Sequence, residues 1–185
     1  LVHISTGCFY NFNYLKNKPI TEKRIPDYHN LFYSRTKNYS ERVLEALMTD
    51  FDILVVRLRI PLDNRSHPGG LLDKLIKYKT IIDIPNSVTY IPDFIEAVKY
   101  LIKVDANGIY NVVNKGGLRY PKLLDVYKKY VPDFNYKIID LKKLNLDRTN
   151  LIMSTKKLED TGFKIRHIDD VLEECVKGYS DSING

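Results

Sequence analysis

Tyr33 and Lys37 stand four residues apart in the stretch "LFYSRTK". On a helix that spacing puts both side chains on one face. A free phenol, with pKa ~10, releases its proton poorly at neutral pH. An ammonium within a few ångströms stabilises the phenolate, and such a pair can protonate a developing alkoxide. The spacing is not specific by itself, because the chain has 14 tyrosines and Tyr14 with Lys18 repeats it. Tyr14, however, falls in a loop-like stretch closed by Pro19, whereas Tyr33 lies within helical periodicity. A second group of reactive types opens the chain. "LVHISTGC" runs a short apolar strand into Ser5, Thr6, Gly7 and Cys8. Two hydroxyls and a thiol thus stand where a strand leaves a sheet, the end at which open α/β sheets bind ligands.

The elements that must position these groups follow from apolar periodicity. Residues 1–4 read as a strand and 6–28 as loop. Residues 29–48 read as a helix, with Phe32, Val43, Leu44, Leu47 and Met48 at three- and four-residue steps. "FDILVVRLRI" is a β-branched buried strand, and Leu71 to Tyr78 is a helix. "TIIDIP", "NGIYNVVN" and "NYKIIDL" supply further strands. Helices are expected over "IPDFIEAVKYLIK", over "YPKLLDVYKKYV" with Pro121 in its first turn, over "STKKLEDTGF" up to Gly162, and over "HIDDVLEECVKGY". Strands alternate with helices, which predicts an α/β protein with a mainly parallel sheet.

Composition narrows the functional classes. The chain has 185 residues, 44% hydrophobic and 28% charged, enough for one domain with a sizeable core. No apolar run approaches the ~20 residues that cross a bilayer, so no membrane partner is expected. Cys8 and Cys175 lie too far apart in sequence to suggest a metal-ligand pair, and no metal is expected. Two thiols without a disulfide framework suit a reducing, cytoplasmic setting. The net charge of +6 comes from basic residues scattered among acids, which argues against a nucleic-acid surface. No G-x-G-x-x-G follows a strand: Gly69-Gly70 and Gly116-Gly117 lack the spacing. A dinucleotide-binding loop, if the protein uses one, is therefore expected before Leu1.

The order strand, Ser-Thr-Gly, loop, Tyr-x-x-x-Lys resembles the extended short-chain dehydrogenases/reductases. Within them, "LFYSRTK", "VVRLRIP", "DIPNSVT", "GIYNVVNKG" and Arg148-Thr149-Asn150 resemble the nucleotide-rhamnose synthases, bifunctional epimerase-reductases, in the same order and over almost the whole chain. The resemblance implies a Rossmann-like parallel sheet, incomplete because its N-terminal cofactor-loop segment precedes Leu1, with a smaller C-terminal substrate subdomain. Residues 1–61 and parts of 80–131 would form the sheet part. Residues 62–79 and 132–185 would mainly form the sugar-nucleotide part.

The activity it implies is 3,5-epimerisation and 4-keto reduction of a UDP- or dTDP-linked 4-keto-6-deoxy-glucose, with NADPH or NADH as hydride source. Thr6 would hydrogen-bond the C4 oxygen, Tyr33 would donate the proton, and Lys37 would tune Tyr33 and hold the nicotinamide ribose. Cys8 matches a family cysteine implicated in epimerisation; a thiol of pKa ~8.5 is mostly protonated at neutral pH and can serve as an acid. Lys74 in "LLDKL" matches the partner lysine. As a base it would have to be neutral, which calls for burial or neighbouring cations. His67 in "RSHPGG" is the rival, since related GDP-fucose synthases pair cysteine with histidine from this region. Arg148 would clamp the diphosphate, and Asn86 and Ser87 would contact sugar or base. A homodimer is compatible with the resemblance. The competing readings are a 4-keto sugar nucleotide reductase without epimerase activity, which Cys8 argues against, and a non-catalytic regulatory subunit, which Thr6, Tyr33 and Lys37 argue against.

Overall fold

The alternation of β-branched runs with amphipathic stretches folds as the sequence predicts. The computed structural model describes residues 1–11, 18–143 and 150–184. In chain order the elements are β1 (Val2–Thr6), α1 (Phe32–Leu47), β2 (Leu54–Leu58), β3 (Pro61–Leu62), α2 (Leu71–Tyr78), β4 (Thr80–Ile82), β5 (Thr89–Tyr90), α3 (Ile91–Lys103), β6 (Gly108–Asn111), α4 (Tyr120–Lys128), β7 (Lys137–Ile139), α5 (Lys156–Asp160) and α6 (Leu172–Asn184). Among the described residues, no helix is long and apolar enough to cross a membrane.

The central sheet has the order β1-β2-β6 and is parallel throughout. Its register sets Thr6 beside Leu58 and Arg57 beside Asn111, so all three strands end on the same side. Side chains on a strand alternate between faces. Leu54, Val56 and Tyr110 therefore face Phe94, Ala97 and Leu101 of α3, together with Leu158 of α5 and Ile165. Ile53, Val55 and Ile109 face the other way, against Leu44 and Met48 at the end of α1. The crossovers β1-α1-β2 and β2-α3-β6 thus cover opposite faces, the arrangement that buries a parallel sheet on both sides.

A second, larger core gathers Leu62 of β3, Leu72 and Leu75 of α2, Ile81 and Ile82 of β4, Leu123, Leu124 and Tyr127 of α4, and Leu172, Val176 and Tyr179 of α6. Two further parallel pairs, β3-β5 and β4-β7, belong to this region. A third cluster, Phe9, Tyr10, Ile20, Val113, Leu151 and Met153, packs the turn after β1 against the 150–153 segment.

One expectation needs correction. The opening strand runs through Thr6 rather than ending at Ile4, because its ladder with β2 continues to the Thr6–Leu58 pair. On α1 only Leu44 and Met48, at its C-terminal end, pack on the sheet, and the rest of the inward face is polar. Phe32, Val43 and Leu47 are exposed, whereas Ser34, Asn38 and Glu41 are buried. The reason is what this face meets: a backbone carbonyl and a buried guanidinium, which require polar partners.

Candidate active site

Parallel strands deliver the chain's chemistry to one end of the sheet. Thr6 closes β1 and is 1% exposed. Its Oγ1 accepts a hydrogen bond from the Cys8 N–H at 3.1 Å, turning the backbone so that Cys8 follows it at the strand end. Gly7 sits between them because nothing larger fits without a shift: a Cβ there would lie 2.4 Å from Met153 Sδ. The Gly7 N–H also donates to the Leu58 carbonyl, continuing the β1-β2 ladder into the turn.

Helix α1 is fastened to β1 and to this turn at one point each. Ser34 Oγ donates to the Cys8 carbonyl at 2.9 Å, and Lys37 Nζ donates to the Ile4 carbonyl at 3.0 Å. Tyr33, next to Ser34, stays about half exposed, and Lys37 is half-buried. An ammonium carries three donors, and Lys37 spends one on Ile4. The neighbouring His3 has its imidazole pKa lowered by burial and by the Lys37 charge, so it stands neutral beside Lys37 at pH 7. Thr6, Cys8 and Lys37 are thus held together with the turn of α1 that bears Tyr33.

Beneath the site lies a charge pair that the sequence alone did not reveal. Arg57 of β2 and Glu41 of α1 are each 2% exposed. Arg57 Nε reaches both Glu41 carboxylate oxygens at 3.0 Å, and its Nη1 donates to Tyr10 Oη at 2.7 Å. The guanidinium also lies over the Phe9 ring, 5.1 Å from its centroid. One buried cation therefore clamps α1, β2 and the turn after Cys8. A charge inside "VVRLRIP" was the available signal, since a buried strand position carrying arginine demands an acid from elsewhere.

The second arginine of that stretch, also missed, reaches the site itself. Arg59 is 4% exposed, and its Nη1 donates to Cys8 Sγ at 2.7 Å. Its backbone N–H is held by Thr89 Oγ1 at 3.0 Å, and its Nε faces Asn86 Oδ1 at 3.4 Å. The next residue, Ile60, has φ +38, a left-handed conformation that costs a β-branched residue ~1–3 kcal/mol and persists only where its surroundings enforce it. That turn lets the chain leave β2 for β3 with Arg59 directed back at Cys8.

Asn86 and Ser87 are buried and spend their side chains on the protein. Asn86 Oδ1 accepts from the Leu151 N–H and its Nδ2 donates to Asn150 Oδ1; Ser87 Oγ accepts from the Met153 N–H. They staple the 150–153 segment under the site. Lys74 is exposed on α2. His67 is exposed in the preceding loop, its Nδ1 accepting from the Gly69 N–H at 3.2 Å. Among the described residues, neither is hydrogen-bonded to Thr6, Cys8 or Tyr33. Arg148 and Tyr14 lie outside the described residues.

No family model matches the chain. It is 28% identical over 152 residues to the bifunctional dTDP-4-dehydrorhamnose 3,5-epimerase/dTDP-4-dehydrorhamnose reductase of Arabidopsis thaliana, covering 77% of this chain and 48% of that protein. Among solved structures, the UDP-rhamnose synthase of Acanthamoeba polyphaga mimivirus superposes with a TM-score of 0.84 at 24% identity, covering 96% of this chain and 64% of that one. The dTDP-4-dehydrorhamnose reductase of Bacillus anthracis, solved in complex with NADP, gives a TM-score of 0.75 at 18% identity, covering 97% of this chain and 64% of that one. The chain thus spans less than two thirds of the length of these proteins.

Proposed function

We propose that this chain, homologous to epimerase/reductases of nucleotide-rhamnose synthesis, carries the proton-transfer site of such an enzyme. The substrate is a UDP- or dTDP-linked 4-keto-6-deoxy-glucose. The observation that carries the reading is the convergence of Thr6, Cys8, Lys37 and the Tyr33-bearing turn of α1 at the end of β1.

In the reductive half, the Thr6 hydroxyl and the Tyr33 phenol address the C4 oxygen, and Tyr33 gives its proton to the alkoxide. Lys37 stabilises the phenolate left behind. The two ammonium donors that Lys37 does not spend on Ile4 fit a ribose diol, and the half-exposed Tyr33 leaves room beside it. These residues fit the nicotinamide end of NADPH or NADH, which supplies hydride when bound. The 185 residues contain no G-x-G-x-x-G for the pyrophosphate end.

In the epimerising half, the C4 ketone acidifies the hydrogens at C3 and C5. A base removes one, and Cys8 returns a proton on the opposite face. The base comes from α2 or the loop before it, Lys74 or His67, and would have to approach Cys8 in the substrate complex. Residues 1–61 and parts of 80–131 serve the cofactor side, and 62–79 with 132–185 the sugar-nucleotide side, where Arg148 clamps the diphosphate. Asn86 and Ser87 serve this side indirectly, through the 150–153 segment.

The test is cofactor oxidation by the full-length enzyme supplied with UDP- or dTDP-4-keto-6-deoxy-glucose. Oxidation coupled to nucleotide-L-rhamnose supports the reading. Oxidation giving a reduced sugar with unaltered C3 and C5 makes the protein a reductase only, and absence of turnover leaves a non-catalytic subunit.

A further inference from the structure

Nothing in the roles above uses Arg59, yet it is the only arginine in hydrogen-bond contact with a thiol among the described residues. Its side chain is buried and fixed along its length. The backbone N–H is anchored on Thr89 Oγ1, which itself donates to the Val112 carbonyl; Nε faces Asn86 Oδ1; and Asn86 is secured by Leu151 and Asn150. The stem passes Gly7 closely enough that a Cβ there would lie 3.6 Å from Arg59 Cδ. Four separate segments of the chain thus converge to place one guanidinium against one sulfur. The other cysteine, Cys175, is fully buried and donates to the Asp63 carbonyl, so it shares nothing of this environment.

We propose that Arg59 is a positioning residue for Cys8, holding the sulfur at the end of β1 and compensating the negative charge that appears on the sulfur during epimerisation. The inference rests on the reading that Cys8 transfers a proton at C3 or C5. In that step the S–H bond breaks and a C–H bond forms. The enolate π pair makes the new C–H bond and the C4 carbonyl is restored, while the S–H electron pair stays on sulfur. An anion in a half-buried place is costly unless a donor or cation meets it. A guanidinium N–H already directed at Sγ meets it without rearrangement, as preorganised donors do at sites of developing charge. Water returns the proton to sulfur before the next turnover. Asn86 and Thr89 act one step further out, by keeping Arg59 in place.

The experiment measures two rates in the full-length enzyme. One is deuterium exchange at C3 and C5 of the 4-keto sugar nucleotide in D₂O without reduced cofactor. The other is reduction of an already epimerised 4-keto sugar. Arg59→Gln is expected to slow exchange ~100-fold, the scale of a lost preorganised donor at a site of developing charge, while reduction falls far less. Arg59→Lys, which keeps a cation near the sulfur, is expected to recover most of the exchange. Guanidinium added to Arg59→Ala is expected to raise exchange in a saturable way. Exchange within a few-fold of wild type in Arg59→Gln overturns the proposal, as does equal loss in Arg59→Lys and Arg59→Gln. Parallel loss of exchange and reduction makes Arg59 a structural residue and also overturns it. Cys8→Ser is the separating control. If it leaves exchange intact, the role of Cys8 itself fails; if it abolishes exchange while Arg59→Gln does not, only the role of Arg59 fails.

Discussion

Lys37 Nζ lies 3.0 Å from the Ile4 carbonyl, two residues before Thr6 on the same strand. That hydrogen bond spans 33 positions of sequence and fixes where the second turn of α1 meets the sheet. Together with the bond from Ser34 to Cys8, it fastens the turn of α1 that bears Tyr33 to the strand end. Helix and strand are each legible in the sequence, but their contact is what makes a site of them.

Tyr33→Phe keeps the ring and removes the proton donor. Reduction of the 4-keto sugar is expected to fall by ~100-fold or more. Tyr14→Phe, in the other Tyr-x-x-x-Lys, is expected to stay within a few-fold of wild type. Steady-state rates of cofactor oxidation check both, and equal losses in the two variants would remove Tyr33 from its assigned role.

The buried pair beneath the site sets a stability prediction. Glu41→Gln leaves Arg57 charged and underpaired in a position 2% exposed. Breaking such a pair costs ~3–5 kcal/mol. Replacing both partners, Arg57→Met with Glu41→Met, is expected to cost less than Glu41→Gln alone. Urea unfolding midpoints measure the difference; a single variant with wild-type stability would show that the pair is not needed.

Acid should act through the carboxylates whose pKa the fold depresses, Asp73, Glu159, Glu173 and Glu174. On Glu174, the Arg166 hydrogen bonds hold the pKa below the usual range against the opposing effect of burial, helped by Tyr90. On Asp73, burial pushes upward, but hydrogen bonds from Ser66, the His67 backbone and Tyr179 prevail and the net direction is down. A carboxyl with a depressed folded pKa adds stability that is complete above its unfolded pKa, ~4, and is lost as pH falls through the folded value. Thermal unfolding from pH 6 down to pH 2 is therefore expected to show a steep loss below pH ~4. Glu174→Gln with Asp73→Asn should shrink it, leaving the part due to Glu159 and Glu173; an unchanged slope would assign the loss to other groups.

The two thiols should differ sharply in reactivity. Burial pushes the Cys175 thiol up to about 12, and its side chain is shut off from solvent. Cys8 is half-buried at the strand end. Iodoacetamide at neutral pH is expected to add once to the folded chain, at Cys8, and twice in urea. Mass spectrometry of the intact protein and its peptides reads this directly, and modification of Cys175 in the folded state would contradict the packing described for α6.

The strand–helix alternation, the parallel sheet and the shared helix of Tyr33 and Lys37 follow from local pattern, because periodicity and spacing are properties of neighbouring residues. The inward face of α1 is less legible: of the periodic apolar residues, Leu44 and Met48 pack on the sheet while Phe32, Val43 and Leu47 are exposed, and Ser34, Asn38 and Glu41 turn inward. The partners that demand polarity there, the Cys8 carbonyl and Arg57, come from distant segments. Arg59 was invisible for the same reason: its contact with Cys8 crosses 51 positions. Asn86 and Ser87 stood out as polar residues after a strand; that they also hold the 150–153 segment follows only from the folded chain.

One measurement tests the central claim most directly. The full-length enzyme is given a nucleotide-linked 4-keto-6-deoxy-glucose and reduced nicotinamide cofactor in D₂O, and the product is examined by NMR. Epimerisation through an enolate at each carbon followed by hydride delivery predicts nucleotide-L-rhamnose with deuterium at C3 and C5 and protium at C4. A C4-reduced sugar that keeps protium and the original configuration at C3 and C5 would contradict the account.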